Sequence, residues 1–231
     1  MAAVVLAVFV AIVIRSIPGG PAPLPLPHSA SLPTDGRSSA TLQVVTGTPA
    51  LTIGVASLGV TGTLLRVTTP AGSAAPQLRV ADGPGGNAVI SVSATRASAI
   101  TVTLNAAVSW QLDLASGTTR TVADLRGSRV AGIAVTKGSD VIDLTLPQPR
   151  GSVPVRLAAG ASQLLLSLPS GVPARVTAAA GAGEISLDGQ VHTGVPGGSV
   201  FTTPTWVPGK AGFDIDATAG AARVTVTART S

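Results

Sequence analysis

Apolar and polar residues alternate with a period of two along most of this chain. In Asp140-Val-Ile-Asp-Leu-Thr-Leu-Pro147 the apolar slots are Ile142, Leu144 and Leu146, and Ser162-Gln-Leu-Leu-Leu-Ser-Leu-Pro169 puts Leu164, Leu166 and Leu168 in the same places. A shorter copy, Glu184-Ile-Ser-Leu-Asp188, supplies Ile185 and Leu187. Such alternation predicts a strand with one buried face. The copies open on Gly138-Ser-Asp, Gly160-Ala-Ser and Gly181-Ala-Gly, spaced 22 and 21 residues apart. Glycine supplies the turn conformation, and the proline ending each of the first two copies cannot donate a ladder hydrogen bond, so it marks a corner. The segments between also match, Val153-Pro-Val-Arg-Leu157 against Val172-Pro-Ala-Arg-Val176. Each unit therefore reads as strand, corner, strand, turn. A unit of this size cannot bury its apolar face alone and needs stacked neighbours. The expected fold is all-β, either a repeated-strand β-solenoid or a stacked β-sandwich, preceded by one N-terminal hydrophobic helix.

Further strands are predicted at 41–46, 50–55, 63–69, 76–81, 88–94, 99–105, 108–114, 120–125 and 129–135, with turn residues between them. The tail repeats the pattern in Gly212-Phe-Asp-Ile-Asp216 and Gly220-Ala-Ala-Arg-Val-Thr-Val226, which reads as one more rung completing the stack. This divides the chain into four stretches. Residues 1–17 are an N-terminal membrane anchor or signal, and 18–40 a proline- and serine-rich linker. An N-terminal β segment covers 41–109 and a repeat-containing β domain covers 110–231.

The first stretch runs unbroken and apolar from Met1 to Ile14 and is closed by Arg15. It is a little short of the roughly 20 residues a spanning helix needs, and no basic residue precedes it as in a secretory signal. An uncleaved anchor and a cleaved signal both stay open. Pro21, Pro23, Pro25 and Pro27 at alternate positions favour an extended spacer.

Composition narrows the function. Charged residues are 11% and aromatic residues 2%, so the core must be aliphatic and the surface rich in hydroxyls. The net charge of +5 comes from basic residues scattered singly; without a basic cluster, no nucleic-acid partner is expected. No cysteine is present, which excludes disulfides and thiolate metal sites.

Catalytic chemistry is hard to assemble. The two histidines are His28, in the linker, and His192, expected in a turn after Asp188-Gly189. His192 with Asp188 and a serine would lack the Gly-x-Ser-x-Gly elbow of many hydrolases. Asp214 and Asp216 point the same way on one strand, and Asp140 and Asp143 lie near a turn, without the spacing of a calcium loop. No cofactor and no metal is expected. One pair stands out: Arg156 and Arg175 occupy the same outward slot of successive return segments. Stacked directly, they would lie about 5 Å apart and favour an anion between them. They are the candidate anion-binding residues, for an envelope polyanion or a lipid headgroup; the alternative is pairing with carboxylates on a neighbouring rung.

Trp110-Gln-Leu-Asp-Leu114, the Gly138 and Gly160 openings, Leu168-Pro-Ser-Gly-Val-Pro-Ala-Arg-Val176, Phe213-Asp-Ile-Asp216 and Gly220-Ala-Ala together resemble a group of actinobacterial envelope proteins. That group carries Gly-Gly-Ala-Ser β repeats and is related to adhesin-like and cell-wall stress-response β domains. The resemblance covers about residues 105–231. This chain departs from it by replacing the Gly-Gly-Ala-Ser rung with Ser-Asp, Ala-Gly or Ala-Ala in most copies. The resemblance implies a membrane-tethered all-β domain without catalytic residues. The expected protein is held to the cell membrane by its N-terminal helix, with the folded part on the extracytoplasmic side, or is secreted. It would be a non-catalytic structural, adhesin-like or binding module with an envelope polymer or membrane protein as partner, or else the accessory sensor of an envelope stress response.

Overall fold

The computed structural model describes residues 26–59, 62–83 and 87–229. The anchor or signal expected over 1–17 lies outside them. All described regular structure is β, as the alternation requires, and it forms two mixed sheets of ten and nine strands. Among the described residues no helix is long and apolar enough to cross a membrane.

The first seven strands are β1 (His28–Pro33), β2 (Ser39–Val44), β3 (Thr48–Ala56), β4 (Thr63–Thr69), β5 (Gln77–Asp82), β6 (Ala88–Ser93) and β7 (Ala99–Asn105). Six central strands follow: β8 (Ser109–Leu114), β9 (Thr118–Asp124), β10 (Arg129–Val135), β11 (Ser139–Thr145), β12 (Ser152–Leu157) and β13 (Ala161–Pro169). The last six are β14 (Ala174–Ala178), β15 (Ala182–Leu187), β16 (Gln190–Val195), β17 (Ser199–Thr202), β18 (Gly212–Ala217) and β19 (Ala221–Arg229).

From β8 to β13 the chain alternates between the sheets, and each strand pairs in parallel with the one two places on. Consecutive strands thus make rungs, one strand in each sheet. Pairing runs without a break past residue 109, since β8 joins β2 to β10 and β9 joins β3 to β11. Glycine corners stack with the rungs: Gly47 lies against Gly117, Gly117 against Gly138 and Gly138 against Gly160. The Gly117 opening, 21 residues before Gly138, belongs to the repeat and was masked in the sequence by Thr-Thr following it. Just after the corners, Thr118 and Ser139 are buried and share a hydrogen bond of 2.8 Å between their hydroxyls. They satisfy one another where no water reaches.

The expected inward residues are inward. Ile142, Leu144 and Leu146 register with Leu164, Leu166 and Leu168 in position and burial, and Val153, Val155 and Leu157 close the other sheet. Trp110 and Phe213 are the largest side chains in this core, both fully buried. The Trp110 indole donates to the carbonyl of Asn105 at 3.0 Å, so its polar edge is satisfied.

Two expectations need correction. Residues 28–33 do not belong to an extended spacer: they form β1, antiparallel to β4, with Leu32 buried. Alternating polar and apolar side chains in His-Ser-Ala-Ser-Leu-Pro supply the strand, and the prolines mark its ends. The second concerns rung order. The tail rung, β18 with β19, does not complete the stack at its end; it lies between the β12/β13 rung and the β14/β15 rung, parallel to both. The third repeat copy, Ile185 and Leu187, keeps its inward column but is one strand removed from Leu164 and Leu166, with Val224 and Val226 between.

Candidate binding surface at the C-terminal end

The intercalated rung decides where the candidate arginines sit. Arg156 on β12 and Arg175 on β14 both point outward, yet they are not neighbours, because β18 lies between their strands. Asp214 is the register partner of Arg175, and Asp216 that of Arg156. The side-by-side pair expected from the sequence therefore does not form: an acidic strand separates two basic ones, which relieves like-charge repulsion across the sheet. Arg175 grips Asp214 with two bonds, Nε to Oδ1 at 2.8 Å and Nη2 to Oδ2 at 2.5 Å. That hydrogen bond, with the carboxylate charge beside it, raises the Arg175 pKa above its ordinary value. The guanidinium carbon also lies 5.5 Å from the centre of the Trp206 ring. Trp206 in turn covers Gly212, where a Cβ would lie 2.9 Å from the indole and 2.8 Å from the carbonyl of Pro173. Arg156 is exposed and makes no salt bridge among the described residues, while Asp216 Oδ1 is buried without a partner.

Beyond this face the sheets end in β16 and β17. Asp188 and Gly189 both have positive φ, 51° and 80°, and make the two-residue hairpin that turns β15 into β16. His192 is thus in a strand, not a turn. Opposite residues of an antiparallel pair share a face, so Gln190 and His192, partners of the inward Leu187 and Ile185, face the other sheet. Phe201, partner of the inward Val176, meets them from β17. The His192 and Phe201 rings stack with centroids 4.5 Å apart and 31° between planes. They close the inter-sheet interior at this end.

A groove of about 340 Å³ opens beside this ring pair, lined among others by Asp188, Gln190, His192, Phe201, Thr202 and Thr203. Thr203 is held in place, its hydroxyl accepting from the Ala174 amide at 3.0 Å. Among the described residues the side chains of Asp188, Gln190, His192 and Thr202 make no hydrogen bond to other protein groups. Sequence reasoning missed this groove because β16 and β17 are short and weakly alternating. A usable signal was that Phe201 and Trp206 lie five residues apart in a chain with so few aromatic residues.

The other candidates do not converge. His28 lies on β1, at the opposite end of its sheet from His192. Asp143 faces Arg120 at 4.0 Å across the sheet surface. Among the described residues no group of three or more His, Asp or Glu side chains could hold a metal ion.

No family model and no curated protein matches this chain. Among solved structures, the chain resembles the crystal structure of a protein from Clostridium sporogenes described as a "putative cell adhesion protein". The identity is 15% and the TM-score 0.64, and the likeness covers 88% of this chain and 100% of the other. What the two share is the two-sheet fold.

Proposed function

We propose that this chain is a membrane-tethered, extracytoplasmic module of the cell envelope, a solenoid-like stack of β rungs that binds without catalysing, in the manner of an adhesin. The observation that carries this reading is the arrangement of polar side chains. They run in ladders from strand to strand, as in Ser91 to Gln43 at 3.1 Å and Gln43 to Asp113 at 3.0 Å, and do not gather around a reacting centre. The likeness to the whole of the Clostridium sporogenes protein described as a "putative cell adhesion protein" supports it, as does the apolar run at residues 1–14. Adjacent strands lie about 4.8 Å apart, so a sheet of ten holds its far edge roughly 43 Å from the first strand. A tether at the N-terminus would present the C-terminal end outward.

Fractionation of cells carrying the full chain tests the reading. The chain is expected to sediment with membranes, to be cleaved by protease added to intact cells, and to retain isolated envelope fractions when immobilised. Recovery in the cytosolic fraction, protected from external protease, would overturn it.

A further inference from the structure

We infer that the groove between β16 and β17 is a binding site for a neutral glycan, contacting one or two sugar rings; this rests on the binding-module reading above. The first observation is where the aromatic residues are. Of the four described, Trp110 and Phe213 are fully buried in the core. The two that reach the surface, Phe201 and Trp206, both belong to the C-terminal end, and Phe201 lines the groove. An aromatic face offers apolar contact to the C–H side of a sugar ring, while planar amide, carboxylate and imidazole groups hydrogen-bond its hydroxyls.

The second is that the hydrogen-bonding capacity is unspent. On the sheet faces several outward polar side chains are linked across strands, as Glu184 is to Arg223 at 2.9 Å and Gln43 to Asp113 at 3.0 Å, while others such as Arg156 stand alone among the described residues. In the groove, Asp188, Gln190, His192 and Thr202 are aligned around an opening with no protein partner among the described residues. Together they offer an anionic acceptor, an amide with both donor and acceptor, an imidazole and a hydroxyl within one concavity.

Charge and size set the class. Asp188 is the one formally charged residue lining the groove, and Arg175, the register partner of Thr202, is occupied by Asp214. An anionic polymer would find repulsion there, and a purely apolar ligand would strand the polar groups at the cost of their hydration. A volume of about 340 Å³ is at the small end of the range for ligand sites, which fits one or two rings of a longer chain running past the open end.

The two histidines make the test specific, since His192 is in the groove and His28 is at the other end of the sheet. The full chain in a sugar-free detergent is titrated with maltohexaose, cellohexaose, mannohexaose and chitohexaose, and the imidazole signals of ¹⁵N-histidine-labelled protein are followed. At least one neutral hexasaccharide is expected to shift His192 saturably and leave His28 unmoved. Gln190→Ala, at an exposed position outside the core, is expected to weaken that binding about fivefold, the worth of one hydrogen bond, with an unchanged thermal midpoint. His192 signals unmoved by all four sugars would overturn the inference, as would shifts produced only by a sulfated oligosaccharide. A shift of His192 that depends on protein concentration without sugar would overturn it in favour of pairing between copies. If the sugars fail while envelope fractions are still retained, the glycan inference falls and the binding-module reading stands; failure of both removes both.

Discussion

The two ends of the molecule are built from the same run of elements and closed in opposite ways. At the N-terminal end the chain lays down the β2/β3 rung, makes β4 and β5, and returns as the β6/β7 rung; β4 and β5 dock antiparallel on that second rung. At the C-terminal end it lays down β14/β15, makes β16 and β17, and returns as β18/β19, but here the antiparallel strands dock on the first rung. The returning rung instead enters the slot next to β12/β13. At one end the antiparallel strands therefore cap the returning rung, while at the other they cap the first rung and the returning rung is locked inside the stack. The edges differ too. At the N-terminal end, β1 is flanked by Pro27 and Pro33, and β5 carries Arg79 and Asp82, residues that discourage further strand pairing. Neither β16 nor β17 has a charged residue or a proline, and their outward Val191 and Val200 are 59% and 55% exposed. The two ends thus differ in polarity, one with edges guarded against further pairing and the other with edges left accessible.

Deleting strands at each end breaks this comparison most directly. A chain ending at Ala211 lacks β18 and β19 and leaves an empty slot with apolar columns on both sides; it is expected to lose cooperative unfolding in denaturant altogether. Among the described strands, a chain beginning at Thr34 lacks β1 alone, whose one buried apolar side chain is Leu32, and it is expected to keep a cooperative transition weakened by about 2–5 kcal/mol. Equal damage from the two deletions would show that the last rung is not a central one.

Single side chains sharpen the contrast. Phe213 in the inserted rung is fully buried, so Phe213→Ala should cost about 3–5 kcal/mol. Val191→Ala, on the exposed face of β16, should stay within about 0.5 kcal/mol. Gly212→Ala falls between them: its Cβ would press on the Pro173 carbonyl at 2.8 Å and the Trp206 ring at 2.9 Å, and overpacking of that kind costs about 1–3 kcal/mol. Urea melts of the three variants rank them. Gly212→Ala as mild as Val191→Ala would mean that Trp206 does not cover the inserted rung.

These contrasts also explain what could be read from the chain beforehand. Alternation located nearly every strand and the face each residue turns inward, because burial against a second sheet imposes a period of two on each strand locally. Leu144, Leu166 and Val155 were legible for that reason. The order of rungs was not, since β14 and β18 carry equally good alternation and nothing within either strand states which neighbour it will take. The one hint was chemical: Arg156 and Arg175 are stable as near neighbours only with acid between them, and Asp214 and Asp216 were the strand able to supply it. The groove escaped because β16 turns Val191 outward and Gln190 and His192 toward the other sheet, the reverse of a buried strand. His192 and Phe201 become a site only when two edge strands, each from a different sheet, are brought together.

The smallest expected effect distinguishes a local ion pair from one that depends on the inserted rung. Arg175 and Asp214 are 39 residues apart and meet only when β18 enters its slot; the pair is partly exposed, so a double-mutant cycle should give about 0.2–1 kcal/mol. Arg126 and Asp124 make the same two-pronged contact across two residues, with Nε to Oδ1 at 2.9 Å and Nη2 to Oδ2 at 2.5 Å. Hydrogen bonding from the Arg126 side chain holds the Asp124 carboxyl below its ordinary value near 3.8, against the opposing effect of burial. A carboxyl with a depressed folded-state pKa releases its proton more readily when folded, so its contribution is fully present above the unfolded value and disappears as pH falls through the folded one. Melting midpoints of the parent and of Asp124→Asn should therefore differ slightly above the ordinary carboxyl value of 3.8 and converge once the pH has fallen through the depressed folded-state value, with the difference shrinking in high salt. Curves that diverge as the pH falls would reverse the sign and show that Asp124 is stabilised in its protonated form. Because this pair is formed within one turn, its signature should survive substitution of Asp214, whereas the Arg175 contribution should vanish with it.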